Sequence, residues 1–257
     1  MPKFQNLNEA FWHIRENSLE YLPEKSLKLF NAFWIGYEWR YEVEFKEFKG
    51  FELLDGFHEF MCVKYRVPSN RNSMHIAELY TQNQAEAFDL WFADLEEFLS
   101  KKDGTTDIEK YYAERRNEDL FASRKEIDFF GLIKILEKRI AMYVGSNSFT
   151  LLTFILSGWM RATQDFGLEE SEQEKIFKNF QKYIEDRPFW LRAENSDLPP
   201  KPTWSKIILE WTAHIQKEEK ALEMFAEYFG EFAFQGKGCV DYVEFHWKSS
   251  RRNFRKI

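Results

Sequence analysis

Apolar residues return at helical spacing in segment after segment, and this periodicity constrains the fold more than any other feature. Phe88, Trp91, Phe92, Leu95 and Phe98 form one stripe, and Phe129, Ile133, Leu136 and Ile140 form a second. Trp204, Ile207, Ile208, Trp211 and Ile215 form a third, and Leu222, Phe225, Ala226, Phe229 and Phe232 a fourth. Each stripe needs another helix to cover it, so an all-α fold is expected. Start signals agree: Thr106-x-x-Glu109, Ser123-x-x-Glu126 and Ser171-x-x-Glu174 fit the reciprocal cap of a helix N-terminus. Breaks fall at Pro68-Ser69-Asn70, at Lys102-Asp103-Gly104-Thr105 and at the stiff connector Leu198-Pro199-Pro200-Lys201-Pro202. Only Cys239–Trp247 alternates like a strand, so a short extended or β-like C-terminal arm is expected there.

The chain reads as one unit written twice. At an offset of 122, Tyr21 falls on Tyr143, Pro23 on Gly145, Ser26 on Ser148, Gly36 on Gly158 and Tyr37 on Trp159. Between them Leu27, Leu29, Phe30, Phe33 and Trp34 fall on Phe149, Leu151, Leu152, Ile155 and Leu156. A later register at offset 134 pairs Ala87 with Ala221, Trp91 with Phe225, and Leu95 with Phe229. Shared apolar period alone means little, whereas the Tyr, Ser and Gly identities do not follow from it. In each copy the serine is placed to cap a helix that is apolar on nearly all sides, the expected centre of a lobe. Gly36 and Gly158 lie inside these helices, where glycine costs about 1 kcal/mol relative to alanine; close approach of a crossing helix is the simplest compensation. The expected organisation is a helical lobe over 1–100, a helical connector over 101–126, a second lobe over 127–235 and a basic arm over 236–257.

With 257 residues, 18% of them aromatic, there is ample material for a core, and disorder is excluded. No apolar run reaches membrane-spanning length, and the N-terminus shows no secretory apolar segment. Two cysteines make no disulfide framework, so a cytoplasmic protein with reduced thiols is expected. Net charge is −7, but residues 236–257 carry +4 and leave −11 on the remainder. An acidic body repels phosphate and favours a basic protein partner by charge steering. Basic residues around Trp247 and Phe254 leave open a nucleic-acid contact by the tail, against docking on the acidic body.

Chemistry-bearing motifs are scarce. The chain has neither phosphate-cradling glycine pattern and no nucleophile elbow. Its histidines (His13, His58, His75, His214 and His246) are scattered, and Cys62 and Cys239 have no C-x-x-C partner, so local spacing supplies no zinc site. Carboxylate pairs such as Glu96-Glu97, Glu169-Glu170 and Glu218-Glu219 read as solvated helix faces.

The run from Leu136 to Ala162 resembles a pattern common in bacterial immunity proteins that accompany polymorphic toxins of the contact-dependent growth inhibition and Rhs types. It is carried by Arg139 near a helix end, Met142-Tyr143-Val144-Gly145, Ser148, an apolar helix, Gly158-Trp159 and Ala162. Trp204–Ile208 and Ala221–Phe232 continue it, so it covers about 127–234 well and 13–99 more weakly. Two positions depart from the pattern: Ile140 stands where a proline is usual, and Pro23 stands in the first copy where the second has Gly145. The resemblance implies a stoichiometric inhibitor that binds a cognate toxin domain, often a basic nuclease, and is not an enzyme; with the absence of ligand spacing and of a long apolar run, no cofactor, no metal and no membrane are expected. The acidic segments after the repeated helices are the expected toxin-binding residues: Glu42, Glu44 and Glu47 in the first copy, and Glu169, Glu170, Glu172 and Glu174 in the second. The competing reading is a helical adaptor or regulator that touches nucleic acid through its basic tail.

Overall fold

A computed structural model describes residues 3–45, 52–68, 72–102, 127–186, 203–212 and 217–235. These are predominantly helical, with no strand among the described residues. The expected C-terminal arm, the Pro-rich connector and the capped starts at Thr106 and Ser123 lie outside them. The chain divides into two compact units that are not linear in sequence. One comprises residues 1–127 and 154–168, the other 128–153 and 169–257. This departs from the expected split, which kept 127–235 together.

In the first unit, Asn6 caps helix α1 (Leu7–Glu16) by accepting from the Glu9 N–H at 2.9 Å. Asn17, with φ −113° and ψ 37°, separates α1 from the short α2 (Ser18–Tyr21). Helix α3 (Leu27–Phe45) follows and is buried on nearly every side, as its composition predicts. Helix α4 (Phe57–Tyr65) ends at Arg66, which adopts the left-handed conformation with φ 54°. Helices α5 (Ser73–Leu79) and α6 (Gln84–Lys102) complete the segment. Phe11, Phe30, Phe88, Trp91 and Phe92 fill the centre. Their rings meet at 4.7–5.7 Å in tilted and edge-on pairs (Phe88–Phe92, Trp91–Phe92, Phe30–Phe92, Phe11–Phe92, Phe11–Phe30), the arrangement the ring quadrupole favours.

In the second unit, Asp128 caps helix α7 (Phe129–Val144), accepting from the Gly131 N–H at 2.7 Å. The helix loses regular geometry at Arg139 (φ −139°, ψ 20°) and stops at Gly145, whose φ of 77° is the left-handed cap glycine adopts without penalty. Helix α8 (Phe149–Asp165) begins here, with residues 149–153 in this unit and the rest in the first. Helices α9 (Glu172–Lys178), α10 (Phe180–Glu185), α11 (Trp204–Thr212) and α12 (Lys217–Gln235) follow. Phe129, Phe149, Phe180, Phe225 and Phe229 are the buried centre.

Local geometry recurs at the sequence offsets. Asn6 and Asp128 cap equivalent helices, and the irregular residues Asn17 and Arg139 stand 122 positions apart. Ser26 accepts from the Leu29 N–H at 3.4 Å, and Ser148 from the Leu151 N–H at 3.2 Å. A distant side chain completes each cap. Gln84 Oε1 takes the Lys28 N–H at 2.9 Å, and Glu218 Oε2 takes the Thr150 N–H at 2.9 Å. Gln84 and Glu218 are 134 positions apart, the second register.

The glycines behave as the sequence predicts. In the first unit, α3 crosses the later part of α8 backbone to backbone. A Cβ on Gly36 would sit 1.8 Å from the Ile155 carbonyl oxygen, and one on Gly158 would sit 1.9 Å from that of Phe33. This contact, with Tyr37–Asp165 and Arg40–Thr163, joins residues 154–168 to the first unit.

Candidate functional site

Seven glutamates were expected to form an acidic binding face, and their surroundings separate them. Glu42 lies on the inner side of α3 and is only 1% exposed. Glu174 is equally buried. It is the reciprocal partner in the cap of α9, where its carboxylate accepts from the Ser171 N–H at 2.8 Å and Ser171 Oγ accepts from its N–H at 3.2 Å. Neither carboxylate faces solvent, so both are removed from the expected face. A helix with apolar neighbours on every side buries charged positions too, and an N3 glutamate folds back on its own cap. Glu47 lies outside the described residues.

Glu44 is exposed and receives a hydrogen bond from Arg40 at 2.9 Å. Arg40 is itself buried, and its Nε donates to Thr163 Oγ1 at 2.9 Å, so Glu44 covers a fixed cation. Glu169, Glu170 and Glu172 gather at the N-terminus of α9. Glu170 pairs with Lys178 at 2.5 Å and Glu172 with Lys175 at 2.7 Å. Three carboxylates beside two lysines at a helix start, where the backbone dipole favours negative charge, leave this end acidic. Contacts of this kind act on encounter rate and orientation more than on affinity.

Two titratable clusters in the first unit escaped sequence reasoning. Tyr37 donates to Asp165 Oδ2 at 3.2 Å, and Arg161 Nε holds Asp165 Oδ1 at 2.9 Å. Burial, followed by the Asp165 charge, pushes the Tyr37 phenol well above its ordinary value. Arg161 also lies over the Tyr21 ring at 4.7 Å, and Lys3 Nζ donates to the Tyr21 hydroxyl at 2.8 Å. This cluster ties the chain start to α8 and has the character of a structural lock. The second joins α4 to α6. Lys64 donates to buried Asp94 at 2.6 Å and to Glu97, Tyr65 donates to Asp94 at 2.8 Å, and Lys101 reaches Glu97. Burial opposes the Lys64 charge, but the hydrogen bonds that Lys64 donates to Asp94 and Glu97 outweigh it and raise the ammonium above its usual range. Hydrogen bonds from Lys101 and Lys64 hold Glu97 down at about 2. Nothing in the residues around either cluster announces it, because the hydrogen bonds that join its elements span 18 to 128 positions in sequence.

Cys62 Sγ lies 3.6 Å from His58 Nε2 on α4. Burial, then the nearby Glu59 charge, pushes the thiol up, the opposite of what a nucleophile needs. Among the described residues no group of three or more His, Cys, Asp or Glu is placed to hold a metal ion. No single described helix is long and apolar enough to cross a membrane.

Comparison with protein-family models, with curated proteins and with solved structures finds no match.

Proposed function

We propose that this chain is an immunity protein. It binds the toxic C-terminal domain of a cognate polymorphic toxin, a basic nuclease, and neutralises it stoichiometrically by covering the active site. The observation that carries the reading is the run Leu136–Ala162, which resembles the immunity pattern and whose polar and glycine positions have structural parts here. Gly145 stops α7 in the left-handed conformation, Ser148 caps α8, and Gly158 admits a crossing backbone. The −11 charge outside the tail and the exposed carboxylates at α9 support a basic partner.

The two sequence copies, 1–100 and 127–235, descend from one ancestral segment by duplication. Shared caps, shared helix irregularities and the reciprocal glycine crossing support this, since they concern hydrogen-bond geometry and not apolar period. Within the toxin reading, Glu169, Glu170 and Glu172 steer the encounter, with Glu44 contributing a further carboxylate.

The test is co-expression with a toxic domain encoded by a neighbouring gene, which the proposal requires, followed by co-purification and survival. Reversing Glu169→Lys, Glu170→Lys and Glu172→Lys together is expected to slow association about tenfold or more at low salt. An unchanged association rate removes the α9 face from the account, and failure to protect removes the function. A strongly salt-dependent shift of a nucleic-acid duplex by this chain supports the adaptor reading instead.

A further inference from the structure

The segment Lys3–Gln5 leads into α1 and is held to the first unit at four points. The Lys3 N–H donates to the Asp165 carbonyl at 2.5 Å, and Lys3 Nζ donates to the Tyr21 hydroxyl at 2.8 Å. The Phe4 ring is buried, with His13 at 5.0 Å and Phe166 at 6.3 Å. The Gln5 N–H donates to Glu9 at 2.9 Å. One group opposes this closure. Asn17 Nδ2, which donates to the His13 carbonyl at 3.0 Å, lies 3.4 Å from His13 Nδ1 and makes that nitrogen the acceptor of the ring. In the neutral ring the proton is therefore on Nε2, which is enclosed and has no hydrogen-bond partner among the described residues. A donor left unpaired in this way forfeits its hydration for as long as the segment stays down.

We propose that Lys3–Gln5 is a latch over His13, which opens while the helices stay folded and in opening gives water to Nε2. The contacts of Lys3, Phe4 and Gln5 favour the closed form. The orphaned donor favours the open one, so a single ring nitrogen sets the balance between them. Opening also changes the surface. Phe4 leaves Phe166, which packs on Tyr41 at 4.8 Å and on Phe45 at 6.3 Å, and Phe45 is already 45% exposed. The open form therefore shows an aromatic face, at the ends of α3 and α8, that the closed form covers in part. Fraying of Lys3–Gln5 that is independent of His13 is an outcome of the test.

The experiment is amide hydrogen exchange of the full chain at neutral pH, resolved by NMR at Lys3, at Gln5 and along α3. Both of the first two amides are hydrogen-bonded in the closed form. In the wild type they are expected to exchange more slowly than in an unstructured peptide, but about tenfold or more faster than the core of α3. His13→Phe removes the orphaned donor and keeps a flat ring, and should slow exchange at both amides about tenfold. His13→Leu should do the same where the larger ring does not fit. Phe4→Ala removes the ring contact and should speed exchange at both by about tenfold or more, with α3 unchanged. A wild-type segment that exchanges as fast as free peptide, or only together with the core of α3, overturns the proposal. So does an unchanged rate in both His13 variants while the α3 amides stay protected, which leaves simple fraying.

Discussion

At Gly36 the Ile155 carbonyl oxygen occupies the place where a side chain would begin, and at Gly158 the Phe33 carbonyl does the same. The obstructing atom is backbone in both cases, so no rotamer change relieves a substitution and two helices must part. Gly36→Ala and Gly158→Ala are each expected to destabilise the protein by about 3 kcal/mol, read from urea unfolding. Gly230, on α12, has nothing within 4 Å of its missing Cβ, so Gly230→Ala should instead stabilise by about 0.5–1 kcal/mol. A Gly36→Ala variant as stable as wild type would contradict the crossing. Glu97 makes a second residue-level prediction. Its carboxyl is held near 2, below the ordinary 4.5, first by hydrogen bonds from Lys101 and Lys64. A folded-state value below the unfolded one means the contribution is present above about pH 4.5 and is lost as pH falls through about 2. Acid unfolding of wild type should therefore lose stability more steeply over that interval than Glu97→Gln does, and parallel curves would refute the pairing. The glycine crossing was legible in the sequence because a glycine inside an apolar helix needs a reason. The Glu97 cluster was not, because α4 and α6 meet only in the fold.

Helix by helix, the start signals carried most of the information. Ser171 with Glu174 forms the full reciprocal cap, and Ser26 and Ser148 cap α3 and α8 as their positions suggest. The distant partners Gln84 and Glu218 were hidden, since they lie 56 and 68 positions from the N–H groups they accept. Glu218 takes Ser148 Oγ at 3.0 Å and Thr150 Oγ1 at 2.7 Å as well, so Glu218→Ala should cost about 1 kcal/mol in a thermal or urea unfolding series. Glu218→Gln should retain most of that stability, because Gln84 performs the equivalent task with an amide oxygen. A Gln variant as damaged as the Ala variant would show that charge, not acceptor geometry, sustains the cap. The acidic segments were read less well. Carboxylate spacing says which residues share a helix, not which side of it meets another helix, and Glu42 and Glu174 turn inward.

On the scale of the molecule, helix content followed from apolar periodicity, while the division into units did not follow the chain. The later part of α8 belongs to the first unit, where Gly158 meets α3 in a pairing across 122 positions that no boundary signal marks. For function the sequence offers only the grounds of a proposal: an acidic body, no local catalytic spacing and a resemblance whose residues serve the scaffold. The α9 carboxylates remain the face on which that class can be tested by charge. The most direct measurement is titration of the purified full chain into the cognate toxic domain that the proposal requires, with binding and residual toxin activity followed together. The account predicts saturation at one chain per toxin domain, with activity falling in proportion to complex formed. Toxin that stays fully active at saturating amounts of this chain, or activity lost without any complex, would contradict it.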